Sequence, residues 1–386
     1  MRNVLLIGTE GVYNYGCEAI VRGTVNILKA IDPSIEVSYV SYNYEDDKKR
    51  LRDCDVNIIM RPARERKRWS RHNILRKLSS YIKVRYIMPY DSLDLIKNCD
   101  TIFSIGGDIY TLNPDNTCNL ELPKFLRRCQ RKGLRYILWG ASVGKFEKNQ
   151  SALNFYKKHL PKIDLIVARE PNTVEYLRSL GVVDNVHLAP DPAFFVECPQ
   201  QIKETNKRIT IGINLSPLSA LYKYESIERA IVVQTEALIS LIELMDCDVI
   251  LLPHVISPNP NDNDLLYLRK IYESVPSEYQ AKITLVDTDP QFIGIKSYLS
   301  RCDYVVAARM HCAINAITLS VPTLFLSYSE KAKGMAEFIY NSKEFVISLE
   351  DFENPQLIAC KLQNLNPVPL WKRIKSFDYK VIFNKR

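Results

Sequence analysis

The chain has 386 residues, of which 46% are hydrophobic and 25% charged, and its formal net charge is +8. That length suits about two domains of ordinary size, and the balance excludes a disordered or fibrous chain. No apolar run approaches the roughly 18 residues of a membrane span, and the ten scattered cysteines show neither metal-ligand nor redox spacing.

The cysteines therefore read as reduced thiols of a cytoplasmic protein, without a disulfide framework or a zinc site. Met1 to Ile7 reads as a first strand and not as a signal peptide.

Apolar runs then alternate with helical patterns. Strands are expected at Asn3–Ile7, Ile35–Val40, Val56–Met60, Thr101–Ile105, Arg135–Trp139, Asp164–Ala168 and Val186–Ala189. Helices fit at Glu18–Ile31, Leu120–Lys132, Ala152–Leu160 and Pro171–Leu180. After the polar stretch Cys198 to Arg208 the alternation restarts, with strands at Ile209–Asn214, Val249–Leu252, Ile283–Val286, Tyr304–Ala307 and Thr323–Leu326. Helices are expected there within Glu225–Leu244, near Asp264–Tyr272, at Gln291–Leu299 and after His311. Strands separated by helices of this length imply α/β architecture with mainly parallel sheets. The expected organisation is two Rossmann-like domains, 1–197 and 209–366, facing across a cleft. A linker at 198–208 joins them, and a tail at 367–386 packs back as a helix.

The stretch 61–86 is strongly basic, with Ile74, Leu75, Leu78, Tyr81 and Ile82 on one helical face. It could contact an anionic membrane or a pyrophosphate-bearing substrate, although charge runs are usually a solvated helix face packed on its own domain. Nucleic acid is not expected, because no groove-reading or stacking module accompanies it.

Ligands of open α/β sheets bind beyond the carboxyl ends of the strands. The residues just past each strand are Gly8, Asn14 and Gly16; Gly106, Gly107 and Asp108; Ser142 and Gly144; and Arg169. In the second half they are Asn214, His254, and then Arg309 and His311 at a helix start, with Lys331 and Lys333 after the next strand. Arg309 and His311 suit a phosphate or carboxylate. Asp108 could serve as a general base or cap a turn, and Arg169 could face the cleft or pair with Glu170 or Asp164. His72, His159 and His187 read as ordinary.

Taken in order, these pieces resemble the polysaccharide pyruvyl transferase family. The matching features are Asn14-Tyr15-Gly16, Ser104 to Gly107, Trp139 to Gly144, Ala168-Arg169-Glu170 through Leu180-Gly181-Val182, and Pro190-Asp191-Pro192-Ala193. Ala308-Arg309-Met310-His311, Val321-Pro322 and Lys331 to Gly334 complete the set. The chain departs from the family pattern at Cys17 (often an acid), Asp108 (often a third glycine) and Ser320 (usually glycine).

The resemblance implies a glycosyltransferase GT-B-like fold, phosphoenolpyruvate as donor and co-substrate, and a saccharide acceptor, free or lipid-linked. The product would be a pyruvate ketal made during surface polysaccharide biosynthesis, in the cytoplasm or at the inner face of the membrane. The family's anion-binding Arg and His map onto Arg309 and His311, and its first-domain Arg resembles Arg169. Lys331 and Lys333 would join the donor site. His311 would be the general acid, Asp108 the base and His254 the reserve acid, with no cofactor and no metal. Two other functions fit the same pattern: a nucleotide-sugar-dependent glycosyltransferase, and a non-catalytic polysaccharide-binding relative.

Overall fold

The computed structural model describes residues 1–9, 11–61, 74, 77–78, 96–113, 115–118, 121–196, 208–327, 330–365 and 374–383. The basic stretch 61–86 and the expected linker 198–208 thus lie almost wholly outside the described residues.

The chain forms two compact units. The first comprises Met1–Glu10, Leu28–Lys49 and Asp53–Ala189, and the second Gly11–Ile27, Arg50–Arg52 and Pro190–Arg386.

The first unit is built on seven parallel strands: β1 (Asn3–Ile7), β2 (Glu36–Ser41), β3 (Asn57–Met60), β4 (Thr101–Ile105), β5 (Arg135–Ala141), β6 (Leu165–Ala168) and β7 (Val186–Leu188). Their spatial order is β3-β2-β1-β4-β5-β6-β7, so the winding reverses between β1 and β4. β4 and β6 are buried along their whole length, as near-continuous apolar runs in a parallel sheet require. Gly8 and Gly106 sit at the reversal with φ of 116° and 112°. A Cβ on Gly8 would meet the Ile105 carbonyl oxygen at 2.4 Å, so only glycine serves there.

The second unit repeats the pattern with β8 (Thr210–Asn214), β9 (Asp248–Leu251), β10 (Ile283–Leu285), β11 (Tyr304–Ala307), β12 (Thr323–Leu326) and β13 (Val346–Ile347). All pairs are parallel, in the order β10-β9-β8-β11-β12-β13, and the reversal lies between β8 and β11. Two doubly wound parallel sheets, as expected, are therefore present. Several helices were not announced by the sequence, among them Tyr44–Arg50, Pro217–Lys223, Glu330–Tyr340 and Pro355–Gln363.

Two features fix the limits of the second unit. Tyr15 and Ala19, in the first turns of the Tyr15–Ile31 helix, share an apolar cluster with Ala193, Phe194, Leu299 and Ile314. At the far end, Tyr379 is buried and donates to the Pro190 carbonyl at 2.5 Å.

In the first unit, His159 ends the Gln150–His159 helix, stacked on Tyr110 and Phe155. Burial, helped by Arg127 and Lys162, pushes its pKa down to about 4. The unfolded chain takes up this proton near pH 6.5, so stability is full above that value and declines as pH falls toward 4. The decline attributable to His159 should approach about 1.4 kcal/mol per pH unit. Urea midpoints at pH 7 and pH 5 would measure it, and His159→Phe should flatten the slope; an equally steep variant would refute the assignment.

Candidate active site

In the first unit the candidate residues converge on Arg169. It follows β6, which places it at the carboxyl edge of the sheet, yet its side chain is only 1% exposed. Nε donates to Ser142 Oγ at 2.9 Å, and Nη2 lies 3.4 Å from Asp108 Oδ1. Glu170 Oε2 lies 3.7 Å from Nε. Glu170 also accepts from Thr173 Oγ1 at 2.8 Å, and burial outweighs the Arg169 charge to push its pKa up. Arg169 is thus a buried cation with acidic company on two sides, while the Asp108 side chain is 60% exposed.

Gly107 explains how so large a side chain fits. A Cβ there would fall 2.2 to 2.5 Å from the Arg169 guanidinium atoms. The second glycine of the Gly106-Gly107 pair therefore clears space for Arg169. Ser142 N donates to the Gly107 carbonyl at 2.8 Å and closes the group.

In the second unit the centre is the N-terminus of the Met310–Ile317 helix, just past β11 at the reversal of strand order. Arg309 is the N-cap and its amide donates to Asn214 Oδ1 at 2.9 Å. Its guanidinium is heavily engaged: Nε and Nη2 reach Asp264 Oδ1 at 3.1 and 2.8 Å, and Nη2 reaches Asp262 Oδ1 at 2.6 Å. Burial opposes its charge, but Asp264 and then Asp262 hold the pKa above the ordinary arginine value. Nη1 makes no hydrogen bond among the described residues. Asp264 is fully buried and also accepts from the amides of His254 and Val255.

His311 lies one turn-position further, 18% exposed, with Nε2 3.4 Å from Oδ2 of the fully buried Asp191. Gly16 packs on its ring, and a Cβ there would stand 2.6 Å from Nδ1 and 2.7 Å from the His311 Cβ. Gly16→Ala should therefore displace the imidazole. We expect turnover to fall by about tenfold, since small misplacements of reacting groups are costly. A crystal structure of the variant with His311 unmoved would sink this expectation.

His254 sits just past β9 and is buried, with Nε2 2.9 Å from Asn315 Nδ2 and its ring edge-on to Tyr15. Burial foremost, then the nearby His311 and Arg309, push its pKa well below the ordinary histidine value. Asn214 is buried too, and its amide donates to the Leu252 carbonyl at 2.8 Å, tying strand ends together. Asn14 caps the Tyr15–Ile31 helix, its Oδ1 accepting from Gly16 N at 2.9 Å. Lys333 is exposed on the Glu330–Tyr340 helix, and the side chain of Lys331 lies outside the described residues.

Thus Gly107, Asp108, Ser142 and Arg169 come together in the first unit, and Gly16, Asn214, His254, Arg309 and His311 in the second. Sequence reasoning named Asp191 only within the Pro190-Asp191-Pro192-Ala193 motif, without a role, and missed Asp262 and Asp264. The signal for Asp191 was present, an aspartate between two prolines straight after a strand, in Pro190-Asp191-Pro192. Among the described residues no group of three His, Cys, Asp or Glu side chains is arranged to hold a metal ion. No described helix is long and apolar enough to cross a membrane.

Solved structures carry the same fold. The UDP-GlcNAc 2-epimerase from Methanocaldococcus jannaschii superposes with a TM-score of 0.58 at 10% identity, covering 99% of each chain. A putative UDP-N-acetylglucosamine 2-epimerase from Listeria monocytogenes gives 0.55 at 12%, over 97% of this chain and 90% of that one. S. aureus MnaA, solved with UDP, gives 0.51 at 13%, over 97% and 91%. At such identities the likeness shows the fold, GT-B-like, and nothing about substrates. No curated protein sequence matches the chain. The family model described as "Polysaccharide pyruvyl transferase" matches residues 14–330, a span that holds every candidate residue above except Lys331 and Lys333. The chain, a transferase, accordingly belongs to the polysaccharide pyruvyl transferase family.

Proposed function

We propose that this transferase moves the pyruvyl group of phosphoenolpyruvate onto two hydroxyls of a saccharide, forming a cyclic ketal and releasing phosphate. The observation that carries the reading is the Arg309–His311 pair at a helix N-terminus on the strand-order reversal of the second sheet. An arginine and a histidine at such an edge suit a small, doubly anionic donor.

The chemistry assigns the roles. His311 protonates the methylene carbon of the donor, and positive character develops on the neighbouring carbon. One acceptor hydroxyl attacks that carbon, the bond to the phosphate oxygen breaks, and the second hydroxyl closes the ring. Of the two hydroxyl protons released, one offsets the proton taken up by the methyl group and the other leaves on phosphate. Arg309 through its Nη1 edge, Lys331 and Lys333 are the candidate anion ligands of the second unit; Arg169, expected as another, is 1% exposed and already held by Ser142, Asp108 and Glu170. Asp108, the exposed carboxylate of its group, is the candidate base for the acceptor. His254, held neutral by burial, is the reserve acid only. Asn14, Gly106, Gly107, Ser142 and Asn214 shape the loops. No metal and no resident cofactor enters this scheme.

The acceptor is read as a surface polysaccharide precursor, free or lipid-linked, modified on the cytoplasmic side where the donor is made. The basic stretch 61–86 is assigned peripheral contact with anionic lipid, which pelleting with phosphatidylserine vesicles would test.

The decisive experiment incubates the protein with phosphoenolpyruvate and candidate acceptor saccharides. Mass spectrometry should show an acceptor gaining one pyruvate less one water, with phosphate released in equal amount. A thermal shift should appear with phosphoenolpyruvate and not with UDP-sugars. The reverse pattern would replace this reading with nucleotide-sugar-dependent glycosyl transfer, and saccharide binding without turnover would replace it with a binding role.

A further inference from the structure

Asp191 has no part in the scheme above, yet it is a fully buried carboxylate directed at a candidate catalytic group. It stands before the short helical turn Pro192–Phe195, where Oδ1 accepts from Ala193 N at 2.9 Å. Its other oxygen, Oδ2, lies 3.4 Å from His311 Nε2. That is longer than a hydrogen bond at its usual length, and shortening it by about half an ångström would make one, a tightening common when ligand binds. The ring has a second fixed neighbour, Gly16, which packs over one face beside Cβ, Cγ and Nδ1, where an added Cβ would stand 2.6 to 2.7 Å from each of those atoms.

We propose that Asp191 is the positioning residue of His311: it holds a proton on Nε2, so that Nδ1 is the nitrogen that meets the donor. The role rests on the function proposed above, but the contact itself does not. Three observations converge. A carboxylate removed from water requires partners, and Oδ1 has one in Ala193 N. The proline on either side of Asp191 restrains the backbone that aims Oδ2. The 18% exposure of His311 leaves the imidazole partly open, as a group that must meet a substrate needs to be.

Asp191→Asn tests this sharply. Ala193 N–H still needs an acceptor, so the amide oxygen stays at the Oδ1 position and the NH2 group faces His311. Nε2 must then accept, and the neutral ring is driven to carry its proton on Nδ1. The buried dyad of a serine protease loses about 10⁴ in turnover from the same change. Here the expected loss is about 100-fold or more in kcat, with the KM for phosphoenolpyruvate within about threefold of wild type.

The tautomer is read independently of activity, by nitrogen-15 NMR of histidine-labelled protein, with the His311 signals assigned by their loss in His311→Gln. Wild type should show the proton on Nε2 and Asp191→Asn should show it on Nδ1, with little change in melting temperature. A wild-type proton on Nδ1, an unchanged tautomer in the variant, or full turnover by the variant would each overturn the proposal. If Asp191→Asn does not fold, the wild-type tautomer alone decides. If wild type makes no ketal, the functional reading fails, while the two spectra still decide whether Asp191 fixes His311.

Discussion

Replacing His311 by glutamine is expected to lower turnover by about 100-fold or more while donor affinity falls much less. Glutamine keeps a hydrogen-bond donor of similar reach but cannot give up a proton at neutral pH. The structure favours a direct role, since His311 is partly exposed and His254 is buried and held neutral. Steady-state kcat and KM for phosphoenolpyruvate, measured at saturating acceptor, separate the cases. Normal turnover at saturating donor with poor binding would make His311 a phosphate ligand. The proton would then come from elsewhere, and His254 is the next residue to change.

Arg309 pairs with Asp262 and Asp264, and under the proposed function it also binds the donor, so its substitution should show both effects. Arg309→Ala strips the partner from Asp264, a carboxylate with no exposure, and loosens Asp262. Leaving a buried charge unpaired costs on the order of 3–5 kcal/mol. For a unit of this size that lowers the melting temperature by roughly 10 °C. Arg309→Lys should lose less stability, because one ammonium can still approach Asp264, but it cannot fork across two carboxylates and offer a further N–H to the donor. Turnover in the lysine variant should therefore fall although the protein remains folded. Calorimetry and the ketal assay on both variants test this. An alanine variant as stable as wild type would mean that Asp264 is satisfied by its amide donors alone. A lysine variant of normal activity would leave only a generic positive charge at this position.

Much of the fold was legible because it is written in local periodicity. The limits of β1, β4, β11 and β12 match the expected Asn3–Ile7, Thr101–Ile105, Tyr304–Ala307 and Thr323–Leu326. These strands lie in the middle of parallel sheets, where burial on both faces demands a near-continuous apolar run. β13 was not legible, since Val346–Ile347 spans two residues at an edge and has no period to read. Among the helices that escaped notice, Tyr44–Arg50 is short and polar, and two open on Pro217 and Pro355, where capping and not amphipathicity marks the start.

The candidate site divides along the same line. By itself the sequence determined which residues end each strand, and so brought Gly107, Asp108 and Arg169, and Arg309 and His311, to the ligand-binding edges of two sheets. It also carried the ordered motifs that place the chain in its family. Only the tertiary structure decided what those residues touch. Gly107 and Gly16, expected to let backbone approach a ligand, make room instead for the side chains of Arg169 and His311. Arg309, expected to stand ready for an anion, already spends one edge on Asp262 and Asp264. Asp191 reaches His311 from a distant part of the chain. Such pairings have no local signal, because strand order and the packing of helix ends bring together residues far apart in sequence. A strand's apolar run depends on its own neighbours along the chain, whereas a buried charge depends on whatever the fold sets beside it.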